Sequence, residues 1–406
     1  MSMQSTRTPS TRASAASAGD RSAVAFRHQT RAAEKPTRTP ISLRSIPEAM
    51  AEDATKTVAV DINPATREVA TGTEVYTREV ASRLERTAPE LRWIFYAARP
   101  RPGLGVDVLV MPFTRMWSQV RLPYALASAR PDLLFVPAHA LPFAWTGNAL
   151  TVVHDLAFER NPKAYSAAER AYLRLTTQWA VRRCRLLIAV SESTKRDLLE
   201  IYHANPERVR VVSNGGGEAP SIKPAPASRL KALGVEGDYV LQVGRVEPRK
   251  NQTAALAAVE RLQDVTLVVA GPERDASMSA RLRASARCRV LGLVDQPTLE
   301  RLYADAAAVV VPSLYEGFGL PVLEAMSRGR VVVTARNSSL PEVGADCALY
   351  VDDPNDPAAL AAALEKATRD PDVRDALTRK ARARARTFTW DRCAAGVAAV
   401  VRELIS

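Results

Sequence analysis

The chain has 406 residues, 47% of them hydrophobic, too many for one ordinary core and enough for two or three domains. Its formal charge is +12; residues 1–50 hold eight Lys/Arg against three acids, a net +5, which leaves +7 for the remainder. Such a body suits nucleic acid, anionic membrane or a phosphorylated ligand, whereas the scattered Cys184, Cys288, Cys347 and Cys393 form no CxxC pair and argue against a zinc site or disulfide framework. Residues 1–55, rich in Ser, Thr, Arg and Ala without sustained periodicity, read as a disordered basic tail. Their start resembles an organelle transit peptide, but the favoured reading is an upstream extension with Met50 as the natural start. No apolar run approaches the roughly 18 residues of a membrane span. No signal-peptide core is seen either, so a cytoplasmic location is expected, with peripheral contact at the inner face of a membrane left open.

From Thr57 onward the pattern changes. Apolar runs at 57–62, 91–97, 106–112, 132–138, 150–154, 185–191 and 208–214 predict strands, and helical patterns fall at 75–86, 167–183 and 192–202. Pro220, Pro224 and Pro226 mark 218–236 as a linker. A second series follows, with strands at 239–244, 266–271, 289–292, 308–313, 331–335 and 348–352. Its helices are predicted at 252–262, 277–286, 297–304, 321–328 and 357–368. Continuous apolar strands alternating with helices indicate mostly parallel sheets covered on both faces. The chain therefore divides into a first doubly wound, Rossmann-like α/β domain at 56–217, a linker at 218–236, a second such domain at 237–388, and an amphipathic C-terminal segment at 389–406. The ligand of two facing units is expected in the cleft between them, at the carboxyl ends of the strands.

The strongest local signal is Glu316-Gly317-Phe318-Gly319-Leu320-Pro321-Val322-Leu323-Glu324. A strand ends here and a helix is predicted to begin at Pro321, whose fixed φ suits a first helical position. Gly317 and Gly319 allow close backbone approach, and the helix N-terminus offers unpaired N–H groups to a diphosphate. Glu316 and Glu324 flank that cradle and could accept hydrogen bonds from sugar hydroxyls. The bland alternatives are a solvated loop charge for Glu316 and, for Glu324 in the first turn, an acid that complements the helix dipole. Gly244 and Arg245 end another strand, with Lys250 on the same strand-to-helix loop and Asn251 able to cap the following helix. Fixed Arg and Lys can meet the charge of a departing diphosphate. Two solvated basic residues are the alternative, and Arg249 is read as a bystander.

The run PSLYEGFGLPVLEAMSRG resembles the signature of the retaining glycosyltransferases of family 4, in which two glutamates are separated by seven residues, as Glu316 and Glu324 are. LQVGRVEPRKN, LVVAGP, VLGLVDQPTLERLYADAAAVVVPS, SSLPEV, TVVHDLAF and LIAVSESTKRDLLE agree as well, so the resemblance spans nearly all of 57–406. It implies the GT-B fold, two facing Rossmann-like domains, with the stretch 390–405 similar to the helix that crosses back over the first domain. It implies that Glu316 contacts the donor hexose and Glu324 the nucleotide ribose, that Arg245 and Lys250 hold the donor phosphates, and that His154 lies beside the donor sugar. Val294 corresponds to the position whose backbone holds the nucleobase. Gly244, Gly317, Phe318, Gly319 and Leu320 complete the donor-binding set.

Other residues are less decisive. A lone histidine is usually structural, but His154 closes a strand in His-Asp-Leu; Asp155 could orient it or contact the acceptor. The loop at 64–73, Gly-rich in the family, retains only Gly72. Ser338 and Ser339 read as helix caps rather than phosphate contacts. Asp370-Pro371-Asp372 has DxD spacing but reads as a turn and N-cap, so neither metal nor cofactor is expected.

The expected reaction moves a hexosyl group from an NDP-sugar, GDP-mannose or a UDP-hexose, to the hydroxyl of a sugar or lipid-linked acceptor with retention. GDP-mannose is favoured by general resemblance to mannosyltransferase-like members. The family's usual account is front-face attack without an enzyme nucleophile. A GT-B epimerase or hydrolase is the enzymatic rival, distinguished by needing no acceptor. A nucleic-acid-binding protein is the rival from another class, and it is disfavoured because the tail has one aromatic, Phe26, and so lacks stacking groups.

Overall fold

The computed structural model describes residues 55–67, 71–112 and 116–406; the tail reading for residues 1–54 lies outside the described residues. Each of the thirteen apolar runs overlaps a strand, with starts within a few residues of those expected. In the first domain these are β1 (Thr57–Asp61), β2 (Arg92–Ala97), β3 (Val108–Val110), β4 (Leu133–Val136), β5 (Ala149–Val153), β6 (Leu186–Ala189) and β7 (Val209–Val211). They form one parallel sheet in the order β3-β2-β1-β4-β5-β6-β7. Among the described residues, five α-helices connect them: α1 (Gly72–Thr87), α2 (Leu122–Ala129), α3 (Ala157–Arg160), α4 (Ala167–Arg183) and α5 (Glu192–Tyr202). The sequence reading did not anticipate α2 and α3; LPYALASA has no polar stripe and AFER spans barely one turn.

The stretch read as a linker is not featureless, because α6 (Ala227–Ala232) forms within it and buries Leu230. The second sheet comprises β8 (Asp238–Val243), β9 (Val265–Ala270), β10 (Cys288–Gly292), β11 (Ala308–Val311), β12 (Val332–Ala335) and β13 (Leu349–Val351). Its order is β10-β9-β8-β11-β12-β13, again parallel throughout. Its helices are α7 (Gln252–Val259), α8 (Ala276–Ala284), α9 (Gln296–Asp305), α10 (Leu320–Ser327), α11 (Leu340–Gly344), α12 (Pro357–Arg369) and α13 (Pro371–Ala385). Asp370 caps α13 by accepting from the Val373 amide at 3.0 Å, as the turn reading of Asp370-Pro371-Asp372 anticipates.

Every residue of β1, β4, β5, β6, β11 and β12 is buried, which is why these strands read as unbroken apolar runs rather than alternating ones. In each sheet the strand order reverses once, between β1 and β4 and between β8 and β11. Connections leave those neighbours in opposite directions and open a crevice at their carboxyl ends. The loops after β8 and β11 are the ones that carry Arg245–Lys250 and Glu316–Gly319.

The last helix, α14 (Trp390–Ile405), returns to the first domain. Its buried face includes Trp390, Val397, Val401 and Leu404, with the Trp390 ring 6.1 Å from that of Tyr76 in α1. Arg83 and Arg86 of α1 pair with Asp391, and Arg402 pairs with Glu90 at 2.7 Å. The crossover expected of the C-terminal segment is therefore present.

Candidate active site

In the second domain the segment after β8 leaves through Gly244, whose φ of +145° suits glycine. It closes a single tight turn at Pro248–Lys250 and enters α7. Two amides pin this loop: Gln252 Nε2 donates to the Arg245 carbonyl and Gln242 Nε2 to that of Lys250, each at 2.7 Å. Asn251 does not cap α7; it sits at φ +55° and its Nδ2 donates to the Pro354 carbonyl at 2.7 Å. The Arg245 side chain is half-buried and has no hydrogen bond or ion pair to any described residue.

Glu316, on the loop after β11, is 6% exposed and accepts three side-chain hydrogen bonds. Its Oε1 accepts from Lys250 Nζ at 2.5 Å and from the Ser313 hydroxyl at 2.7 Å; its Oε2 accepts from Arg249 Nη1 at 3.2 Å. Burial by itself would raise its pKa, but Lys250 and Arg249 outweigh that and hold it at about 2, so the carboxylate is ionised. Burial and the neighbouring Arg249 depress the Lys250 ammonium against the pull of Glu316. Arg249 is no bystander. Its guanidinium reaches the Tyr315 carbonyl at 2.9 Å, Glu316, and Glu247 at 2.9 Å, and so bolts the two loops together. The tight turn sends consecutive side chains, Arg249 and Lys250, to the same carboxylate, which linear sequence does not reveal.

Gly319, at φ +103°, is the N-cap of α10, which starts at Leu320 with Pro321 in its first turn. Glu324 is thus the fifth helical residue and no dipole complement. Its Oε2 accepts from the Tyr303 hydroxyl at 2.9 Å, and burial raises its pKa against the effect of Arg328. The Phe318 side chain turns into the core, edge-on to Phe388 at 5.8 Å, so only its backbone can serve a ligand. Leu320 is half-buried at the cleft, and Val294 is half-buried just before Asp295, the residue that caps α9. Ser338 and Ser339 do not cap α11. They hold Glu316: its N–H donates to the Ser338 hydroxyl and its carbonyl accepts from that of Ser339, both at 2.9 Å.

The first domain meets this loop directly. A Cβ on Gly317 would lie 1.8 Å from the His154 carbonyl oxygen, so no other residue fits there in the closed cleft. Gly317 O accepts from the hydroxyls of Ser191 at 2.6 Å and Thr194 at 3.2 Å. The Tyr315 hydroxyl donates to Asp197 at 2.6 Å and accepts from the Leu156 amide at 3.2 Å.

His154 follows β5, edge-on to Tyr76 at 4.8 Å. Burial lowers its pKa, so the ring is neutral, and its Nε2 lies 2.7 Å from the Pro137 carbonyl. That bond requires the proton on Nε2 and leaves Nδ1 as an acceptor. Asp155 makes no hydrogen bond to it; its Oδ1 accepts from the Ala157 amide at 3.0 Å and shapes the start of α3. His139 was missed by sequence reading. It sits on the segment after β4, bonded to the Thr177 hydroxyl, with burial holding its pKa at about 4. Its signal, a histidine just past a strand end, was the same as that of His154. Gly72 opens α1 behind a Thr71–Glu74 capping box, and a Cβ there would touch Leu320 Cδ1 at 3.4 Å. The positive ends of α1 and α10 therefore converge across the cleft. Among the described residues no group of three or more His, Cys, Asp or Glu is arranged to hold a metal ion.

Two facing doubly wound domains, a returning C-terminal helix, and a crevice that joins converging helix N-termini to half-buried cations are the architecture of the GT-B class. Residues 70–215 match the family described as Glycosyltransferase Family 4, and residues 230–384 match Glycosyl transferases group 1. O-antigen chain mannosyltransferase B of Escherichia coli is 30% identical over 300 residues, 70% of this chain and 78% of that protein. A D-inositol 3-phosphate glycosyltransferase of Mycolicibacterium paratuberculosis is 30% identical over 282 residues, 66% of this chain and 62% of its own. Among solved structures, sucrose-phosphate synthase from Thermosynechococcus elongatus superposes with a TM-score of 0.69 at 19% identity, covering 86% of this chain and 99% of its own. Anabaena HepE in complex with UDP and glucose superposes at 0.67 and 18%, covering 86% and 100%. The chain belongs to glycosyltransferase family 4, and it is a hexosyltransferase. No helix among the described residues is long and apolar enough to cross a membrane.

Proposed function

We propose that the protein transfers a hexosyl group from a nucleoside diphosphate sugar to an acceptor hydroxyl with retention at the anomeric carbon. The observation that carries this reading is the buried, ionised Glu316, paired with Lys250 and Arg249 beside the N-terminus of α10. Glu316 faces the hexose and Glu324 the ribose. Gly244 and the backbone of Gly317, Phe318, Gly319 and Leu320 line the diphosphate, and Val294 offers backbone groups to the base. Arg245 and Lys250 take up the charge of the leaving diphosphate without a metal or cofactor. A carboxylate held at about 2 between two cations is a poor nucleophile and no general acid at neutral pH, which favours front-face attack through an oxocarbenium-like state. His154 Nδ1 is available as an acceptor for a sugar hydroxyl.

GDP-mannose is the favoured donor, by likeness to the Escherichia coli mannosyltransferase, with a UDP-hexose as the competing donor. Thermal shifts with UDP, GDP and their sugar conjugates separate the two. Ligand at a hundred times its Kd stabilises by about 2.7 kcal/mol, and that shift is expected from GDP-mannose and not from UDP-sugars. If no nucleoside diphosphate shifts the melting temperature, the donor reading fails.

A lipid-linked acceptor at an anionic membrane surface is part of the same proposal. Met116 and Tyr124 are 67% and 74% exposed, and Val120, Phe143, Tyr172 and Leu175 are exposed as well. They share one region: the Phe143 amide donates to Gln119 Oε1 at 3.0 Å, and the Gln119 amide lies 3.5 Å from the Tyr172 hydroxyl. Arg121 lies over the Tyr124 ring and supplies a cation at the patch. The chain should co-sediment with phosphatidylglycerol vesicles and not with phosphatidylcholine ones, and Met116→Asp with Tyr124→Asp should abolish that binding. Equal binding to both vesicle types, or none to either, removes the surface from the proposal.

A further inference from the structure

Helix α5 of the first domain begins with three N–H groups that have no partner inside the helix. The Thr194 amide donates to the Ser191 hydroxyl at 3.0 Å. The other two leave the domain altogether. The Glu192 amide donates to Glu342 Oε2 at 2.8 Å and the Ser193 amide to Glu342 Oε1 at 2.7 Å, across 150 and 149 residues of chain. A carboxylate that takes two amides at a helix N-terminus gains both charge-assisted hydrogen bonds and the favourable end of the helix dipole.

Glu342 is firmly placed on its own side. It lies in α11, whose Val343 carbonyl accepts from Arg384 Nε at 2.6 Å and whose Glu342 carbonyl accepts from Arg384 Nη2. The residues that lead into α11, Ser338 and Ser339, hold both backbone groups of Glu316. The start of α5 also grips the next donor-loop residue, because the Ser191 and Thr194 hydroxyls donate to Gly317 O. One helix terminus of the first domain thus reaches the donor loop twice, directly at Gly317 and through Glu342, α11 and the two serines at Glu316.

We propose that Glu342 is a positioning residue: its carboxylate clasps the N-terminus of α5 when the cleft closes, and through α11 it fixes Glu316 against the donor sugar. The proposal rests on the nucleotide-sugar reading of the cleft. Glu192 is exposed and Glu342 half-buried, so water can take over the Glu192 amide and the carboxylate when the domains part, while Ser193 is buried in the closed cleft. Closure thereby becomes linked to the geometry of the reacting centre.

Two variants test it from opposite sides. Glu342→Gln keeps the size and removes the charge and one acceptor. Glu192→Pro deletes one donated N–H at a first helical position, where proline is favoured, behind a Ser191 already extended at φ −155° and ψ 163°. Turnover in Glu342→Gln should fall about tenfold, the order expected when a carboxylate is lost from a helix N-terminus in a partly buried setting. Glu192→Pro should lose less in the same direction. Both should bind free UDP or GDP as the wild type does, and both should show a larger radius of gyration by small-angle scattering in saturating diphosphate. The double variant should be no worse than Glu342→Gln alone. Wild-type turnover in both variants overturns the clasp, as does lowered turnover with wild-type compaction. A wild type that binds no nucleoside diphosphate overturns the functional reading instead.

Discussion

Lys250→Met should lower turnover by about a hundred- to a thousandfold, the roughly 3–4 kcal/mol of one preorganised charge donor at a reacting centre. The half-buried ammonium lies 2.5 Å from Glu316 Oε1, so its position is fixed before any diphosphate arrives. Methionine keeps most of the stem length. The fold should survive, because Glu316 retains Arg249 and the Ser313 hydroxyl. A chelator should leave the wild type active, and added magnesium should not rescue the variant. Activity abolished by EDTA and restored by a divalent ion would show that a metal meets the leaving-group charge, and near-normal turnover would remove Lys250 from the site. Acid titration gives a second readout. Glu316 is held at about 2, below its ordinary 4.5, so its contribution to stability is present above pH 4.5 and lost as pH falls towards 2. With one cation gone the depression shrinks, and the variant should lose less stability than the wild type across that window.

Glu316→Gln should cost about two to three orders of magnitude in turnover, because on the proposed reading the charge set against the developing positive sugar disappears while the side chain keeps its size. Affinity for free nucleoside diphosphate should hold or rise, since Lys250 and Arg249 no longer share their charge with a carboxylate. The change also leaves two half-buried cations, Arg249 and Lys250, short of a partner. Breaking such a pair costs about 3–5 kcal/mol of stability, so rates belong well below the melting temperature of the variant. Glu324→Ala should act differently. It removes the acceptor that the proposed reading assigns to the ribose, and a lost hydrogen bond is worth about 0.5–1.5 kcal/mol, so diphosphate should bind several-fold to about tenfold more weakly. Equal loss of diphosphate affinity in the two variants would mean that the division between sugar and ribose is wrong.

Much of this protein was legible in the chain itself. Strands buried on both faces need apolar side chains at every position, so β1, β4 and β5, like β11 and β12, announce themselves as unbroken runs, and their alternation with helices dictates two parallel sheets. The loop from Glu316 to Glu324 was legible because glycines, proline and carboxylates fall within nine residues and their meaning is local. What only tertiary structure decided are contacts between residues far apart along the chain. Arg249 is an ordinary surface cation in sequence; the tight turn at Pro248–Lys250 aims it at Tyr315 and Glu316, 66 and 67 residues away. Ser338 and Ser339 look like caps because hydroxyls before a helix usually bond locally, and here Glu316 competes for them and wins. Gly72 gave no hint of facing Leu320, nor Glu342 of ending α5, because each pair is joined only when two separately folded sheets close on one another. Periodicity and turn chemistry act over a few residues. The direction of a side chain out of a loop, and the partner waiting there, depend on how the two domains pack.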